Sequence, residues 1–180
     1  LLDALAPLAL RPADSPDAGA LLDTVVATAV HGLAVRRRGA PAGLSPERTA
    51  RLAQAELRAG RPEAVDRARW LVEQAASTVV WPALVHPRTG GGTWGAGWSV
   101  HADAALVELV TDLFAVEAGP STLLLCPVLP PSWLGAGFEV HGLPTAVGVL
   151  SYAVRWHVER PALLWELAGC QECFCSGCPH

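Results

Sequence analysis

The hydrophobic period of this chain changes once, near Ser121, and that change constrains its fold more than any other feature. Upstream, apolar residues recur at helical spacing; downstream they alternate in short runs broken by Gly and Pro. The spacing predicts a helix over Ala20–Arg38, with Leu21, Leu22, Val25, Val26, Ala29, Val30 and Leu33 in one stripe. Arg36-Arg37-Arg38 would close it, cations in a last turn complementing the helix dipole. Ser45-Pro46-Glu47 reads as an N-cap, a first-turn proline and a first-turn acid, and Gly60 as the stop. Pro62-Glu63 opens a third helix through Val65, Ala68, Leu71 and Val72 to about Ala76. Ser99 caps a fourth, with Ala102, Ala105, Leu106, Leu109, Val110, Leu113 and Phe114 on one face and Gly119 as its end.

Downstream, Thr122–Val128 reads as a buried strand, followed by Phe138–His141, Val149–Val158 and Ala162–Leu167. In the third of these, Leu150, Tyr152, Val154 and Trp156 alternate with Ser151, Ala153, Arg155 and His157, the pattern of a half-buried antiparallel strand. Helices first and strands afterwards predict an α+β chain. The expected division is a helical region at 1–119, a partial antiparallel β-sandwich at 120–168 and a Cys-rich tail at 169–180. Four such helices want further partners and the strands make half a sandwich, so the chain is expected to be a C-terminal piece of something longer.

Composition excludes several classes. Hydrophobic residues make up 51% of the 180 and the formal net charge is −4. The sequence has no apolar run of about 18 residues and no basic n-region before its apolar start, so neither a membrane span nor a signal peptide is expected. That favours a cytoplasmic setting. The one basic run lies in an acidic chain without a wider basic face, so no nucleic-acid partner is expected. Lys, Ile, Asn and Met are absent and all 13 basic residues are Arg. Those four residues use AT-rich codons, so a GC-rich bacterial genome accounts for the bias.

The stretch Trp81–Leu106 is the candidate site. From Gln74 to Ala102 there is no Asp or Glu. Trp81, Trp94 and Trp98 offer flat apolar faces on which pyranose rings can stack, or they plug the core. Gly90-Gly91-Gly92 allows close backbone approach to a ligand. His86 and Arg88 flank Pro87 and carry donors for sugar hydroxyls, and His101 stands in the first turn of the fourth helix. Neither a phosphate loop nor a nucleophile elbow is present.

The hairpin Arg48–Ala76, the loop STVVWPALVHPRTGGGTWGAGW, the helix SVHADAALVELVTDLF and the run LLLCPVLPPSWLGAGFEVHGLPTAVGVLSYAVRWH together resemble the C-terminal portion of six-hairpin glycosidases. These (α/α)6-barrel proteins include the rhamnosidase-like and glucoamylase-like families. The resemblance covers roughly Arg48 to Leu167. It implies terminal helical hairpins of an (α/α)6 barrel, a following β-sandwich, and a cleft loop that binds carbohydrate through Trp81, His86, Arg88, Trp94, Trp98 and His101. In the rhamnosidase-like relatives a carboxylate that activates water stands beside the Trp equivalent to Trp81; here Pro82 and Ala83 follow it. Inverting hydrolysis needs an acid and a base about 6.5–9.5 Å apart. The loop supplies neither, and the nearest acids, Glu73, Asp103 and Glu108, occupy helical positions expected to face solvent. No catalytic residue is therefore assigned. The expectation is a fragment of a glycoside hydrolase-like protein that binds carbohydrate without cleaving it, completed by the remainder of its parent chain.

The tail GCQECFCSGCPH places Cys170, Cys173, Cys175 and Cys178 in two CxxC units. Thiolates at such spacing can hold zinc. A zinc ribbon, however, separates its knuckles by about 15–20 residues, whereas Phe174 alone separates these. A frameshifted tail is the favoured account, with no cofactor. A non-enzymatic interaction module that binds zinc through the four cysteines is the alternative. Cys126, in an apolar run, is expected in the core.

Overall fold

The computed structural model describes residues 2, 5, 15–29, 32–35, 42–95, 97–158 and 160–169. The chain is a mixture of helices and small antiparallel sheets: α1 (Pro16–Val26), β1 (Leu33–Val35), β2 (Gly43–Ser45), α2 (Pro46–Arg58), α3 (Glu63–Glu73), β3 (Leu84–Val85), β4 (Gly92–Trp94), α4 (Val100–Phe114), β5 (Ala115–Gly119), β6 (Thr122–Leu125), β7 (Phe138–Thr145), β8 (Gly148–His157) and β9 (Arg160–Ala168).

The caps legible in the sequence start the helices. The Ser45 hydroxyl accepts from the Arg48 N–H and that of Ser99 from the Ala102 N–H, ahead of α2 and α4. Gly60, at φ +68, ends α2 in a Schellman turn. There the Gly60 N–H reaches the Leu57 carbonyl at 3.0 Å and the Arg61 N–H that of Glu56 at 2.8 Å.

Several boundaries differ from the expected ones. The third helix ends at Glu73 rather than about Ala76, β6 stops at Leu125 rather than Val128, and β7 runs on from His141 to Thr145. The largest changes fall on the first and fourth helices. The first helix begins earlier, capped by Ser15, and ends at Val26 rather than Arg38. Its second half is rich in β-branched residues, and the Thr28 hydroxyl takes up the Val25 carbonyl at 2.7 Å. Leu33–Val35 then runs as a strand; Arg36–Arg38 lie outside the described residues. The fourth helix stops at Phe114 rather than Gly119, because Ala115 turns extended (φ −152, ψ 128) and leads straight into β5. Strands are therefore interleaved with helices: β1, β2, β3 and β4 form a four-stranded sheet of very short strands threaded between α1 and α4.

α2 is the central helix. One side carries Leu52 and Ala55 against Ala18 and Leu22 of α1, together with Leu2 and Leu5. The other carries Ala50, Ala53 and Leu57 against Ala64 and Leu71 of α3 and Ala105 and Leu109 of α4. A third cluster builds the β region, where Ala115, Leu150 and Tyr152 are buried among Leu123, Leu125, Cys126, Phe138, Val140, Leu143 and Val154. The alternation predicted for β8 is present: Leu150 and Tyr152 point into this cluster while Arg155 and His157 face solvent. Cys126 belongs to it as expected, with burial pushing its thiol up from the ordinary range.

Polar groups join α2 to both α3 and α4 as well. Arg67 places its Nε 2.8 and 2.7 Å from the two carboxylate oxygens of Glu56 in the interior. Gln54 and Arg58 donate to Asp112 at 3.2 and 3.4 Å, and Arg51 pairs with Glu108. Burial raises the carboxyls of both Glu56 and Asp112, and the neighbouring guanidinium and amide groups pull the other way.

Candidate functional site

The C-terminal end of α3 and the loop that follows fold onto each other. Gln74 closes the helix, and the Leu71 carbonyl in its last turn also accepts the Trp81 indole N–H at 2.7 Å. A turn at Ala76–Val80 reverses the chain, closed by Val79 N–H to the Ala76 carbonyl (2.8 Å) and Ala76 N–H to the Val80 carbonyl (3.0 Å). Val79 takes φ +58 there, a left-handed conformation unfavourable for a β-branched residue.

The glycine segment is an ordered hairpin between β3 and β4. The His86 N–H donates to the Gly91 carbonyl at 2.9 Å, and the Gly90 N–H donates to the His86 carbonyl at 3.1 Å. The imidazole Nδ1 accepts from the Arg88 and Thr89 N–H groups at 3.3 and 3.2 Å. Gly90 and Gly91 adopt φ +66 and +74. Gly92 lies so close to Pro82 that a Cβ would stand 2.9 Å from the proline Cβ. The three glycines thus meet backbone and packing demands that other residues would strain to satisfy.

Between helix end and hairpin lies a cleft of about 560 Å³, within the range typical of small-ligand sites (about 300–1,000 Å³). Glu73, Gln74, Arg88 and Thr89 supply its polar side chains, with the backbones of Gly90, Gly91, Gly92 and Gly97 and the walls of Ala75, Ala76 and Pro82. Its described lining carries one carboxylate and one guanidinium, whose formal charges cancel. Such a surface suits a neutral, hydroxyl-rich ligand better than an anion.

The six site residues expected from the sequence separate into distinct positions. Arg88 lines the cleft, and His86 braces the turn that carries it. Trp94 and Trp98 stand in the same loop outside the lining, 40% and 57% exposed. His101 is exposed in the first turn of α4, also outside the lining. Trp81 is the one of the six placed in the interior, 3% exposed, with its indole N–H spent on α3 and its backbone N–H 3.4 Å from the Asp103 carboxylate.

The three acids also part company. Asp103 ties the loop to α4, Glu108 is paired with Arg51, and Glu73 reaches the cleft. Glu73 and Gln74 were not singled out as cleft residues in the sequence. Their signal was only that α3 ends a few residues before the loop returns.

The four cysteines of the tail lie outside the described residues. Among those described, no group of three or more His, Cys, Asp or Glu side chains is placed to hold a metal ion, and no helix is long and apolar enough to cross a membrane. No family model, curated protein or solved structure matches the chain.

Proposed function

We propose that this chain is the C-terminal part of a six-hairpin glycosidase-like protein and contributes a carbohydrate-binding cleft to it. In this reading the α2–α3 hairpin and α4 are terminal helices of an (α/α)6 barrel. The strands from β5 to β9 are part of an appended sandwich, the remainder of the parent chain is the partner, and the setting is cytoplasmic.

The observation that carries the proposal is the cleft. It is of ligand size, neutral overall, rich in hydrogen-bonding groups and rimmed by a loop that exposes two tryptophans. Aromatic faces beside convergent polar groups are the usual means of holding a ring that is apolar on its faces and polar around its edge. Glu73 is the only carboxylate among the described lining residues, whereas glycoside hydrolysis by the usual routes needs two. The role of this segment is therefore recognition, with the acid and base supplied by the rest of the parent.

Calorimetric or NMR titration of the chain with neutral mono- and oligosaccharides tests this. Saturable binding is expected, weakened about tenfold or more, or roughly 1.4 kcal/mol, by Arg88→Ala and by Trp98→Ala. Circular dichroism of both variants should remain unchanged. Binding indifferent to both substitutions would move the site elsewhere. A parent chain that neither binds nor cleaves any glycoside would end the proposal.

A further inference from the structure

The three-stranded sheet runs β7, β8, β9, and no described strand pairs with the outer edge of β9. In register with β8, Leu163, Trp165 and Leu167 lie opposite Val154, Tyr152 and Leu150. Directly opposed residues share a face of the sheet. On β8 that face is shut, with Leu150 and Tyr152 in the core. On β9 it is open: Leu163, Trp165 and Leu167 are 49%, 66% and 39% exposed. A single apolar face is covered over one part of its width and bare over the other.

A nine-residue apolar edge is a template for another strand. Proteins usually blunt such edges with charges, prolines or bulges. β9 has only Pro161 and two charged residues near opposite ends, Arg160 and Glu166.

Those two charges select an occupant. If β9 meets a second copy of itself antiparallel, with the twofold axis at Leu163, Leu163 lies opposite Leu163, Ala162 opposite Leu164 and Pro161 opposite Trp165. Arg160 then lies opposite Glu166, and the symmetry makes this pair twice. An axis one residue to either side sets both charges against uncharged residues. Opposite charges across a strand pair are favourable and like charges unfavourable, so the edge encodes one self-complementary register. A twofold contact of this kind closes on itself and leaves no β9 edge for a further copy.

We propose that the chain forms a twofold dimer through β9, joining two three-stranded sheets into one of six. Trp165 of each copy covers Pro161 of the other, and the Leu163 pair meets at the axis.

Sedimentation velocity and light scattering on the full chain test this. The expected mass is near twice that of the 18.8 kDa chain. Glu166→Arg sets arginine against arginine at both ends and should raise the dissociation constant about tenfold or more. The double substitution Arg160→Glu/Glu166→Arg recreates the complementary pairs and should restore the dimer. That rescue separates loss of contact from loss of fold. Leu163→Lys, which brings two ammonium groups together at the axis, should give monomer. A monomeric wild-type chain overturns the proposal, as does a dimer insensitive to the single charge reversal or not recovered by the double. A monomer in which the β9 amides not bonded to β8 exchange slowly would show that another segment holds this edge, and would equally overturn it.

Discussion

Val79 shows what a single residue can cost. Its positive φ closes the Ala76–Val80 turn and directs the chain back toward α3, but a β-branched residue in that conformation is strained by about 1–2 kcal/mol. Its side chain is exposed and contributes little packing. Asn tolerates the left-handed region, so Val79→Asn should stabilise the chain by about 0.5–1 kcal/mol, read as an upward shift of the urea midpoint at constant slope. A lowered midpoint would mean that the valine side chain holds the turn through contacts. Nothing in the sequence flagged Val79, because a β-branched residue in a loop carries no signal for a positive φ. Its conformation is imposed by the turn needed to bring Trp81 under the end of α3. The tryptophan illustrates the same limit. A Trp between Val80 and Pro82 suits a core and a site equally well, and only the position of the Leu71 carbonyl decides between them.

At the scale of elements, α2 dominates, and the ion pairs of the helices differ sharply in value. The Glu56–Arg67 pair is buried, whereas Asp66–Arg69 on α3 is exposed. Arg67→Ala would leave a buried carboxylate without its guanidinium partner and should destabilise the chain by about 3–5 kcal/mol. Arg69→Ala should cost under about 0.5 kcal/mol. Denaturant titration of the two variants side by side checks the contrast; equal effects would mean that Glu56 finds other partners. What the sequence made legible here were the local signals. Ser45, Gly60, Pro62 and Ser99 mark helix ends through chemistry confined to a few neighbouring residues. The strands β1 to β4 were not legible, because strands of two or three residues carry no period and exist only through pairing with distant segments. The cleft depends on one of those pairings, β3 with β4, so its arginine and glycines could be singled out while its carboxylate could not.

For the molecule as a whole, the buried acids set the response to pH. Burial holds the Asp112 carboxyl above its ordinary value, so the folded chain binds that proton more tightly than the unfolded chain. The stabilisation is complete below the unfolded value and is lost as pH rises toward the raised one, because folding must then bury a charge. Asp112→Asn removes this dependence. Its stability relative to wild type should therefore increase from about pH 4 to pH 7, measured as urea midpoints across that range. A decrease would mean that Gln54 and Arg58 favour the charged form more than burial opposes it. The junction between helix and sheet carries a different consequence. The Phe114 carbonyl, last in α4, accepts the Cys126 N–H at 3.0 Å and the Tyr152 hydroxyl at 2.9 Å. On a ribosome the chain emerges in order, and Tyr152 leaves 38 residues after Phe114. The helix is therefore synthesised long before the group that finishes its end, and a nascent chain halted at β7 would hold a completed α4 whose final carbonyl had the Cys126 N–H but not yet the Tyr152 hydroxyl.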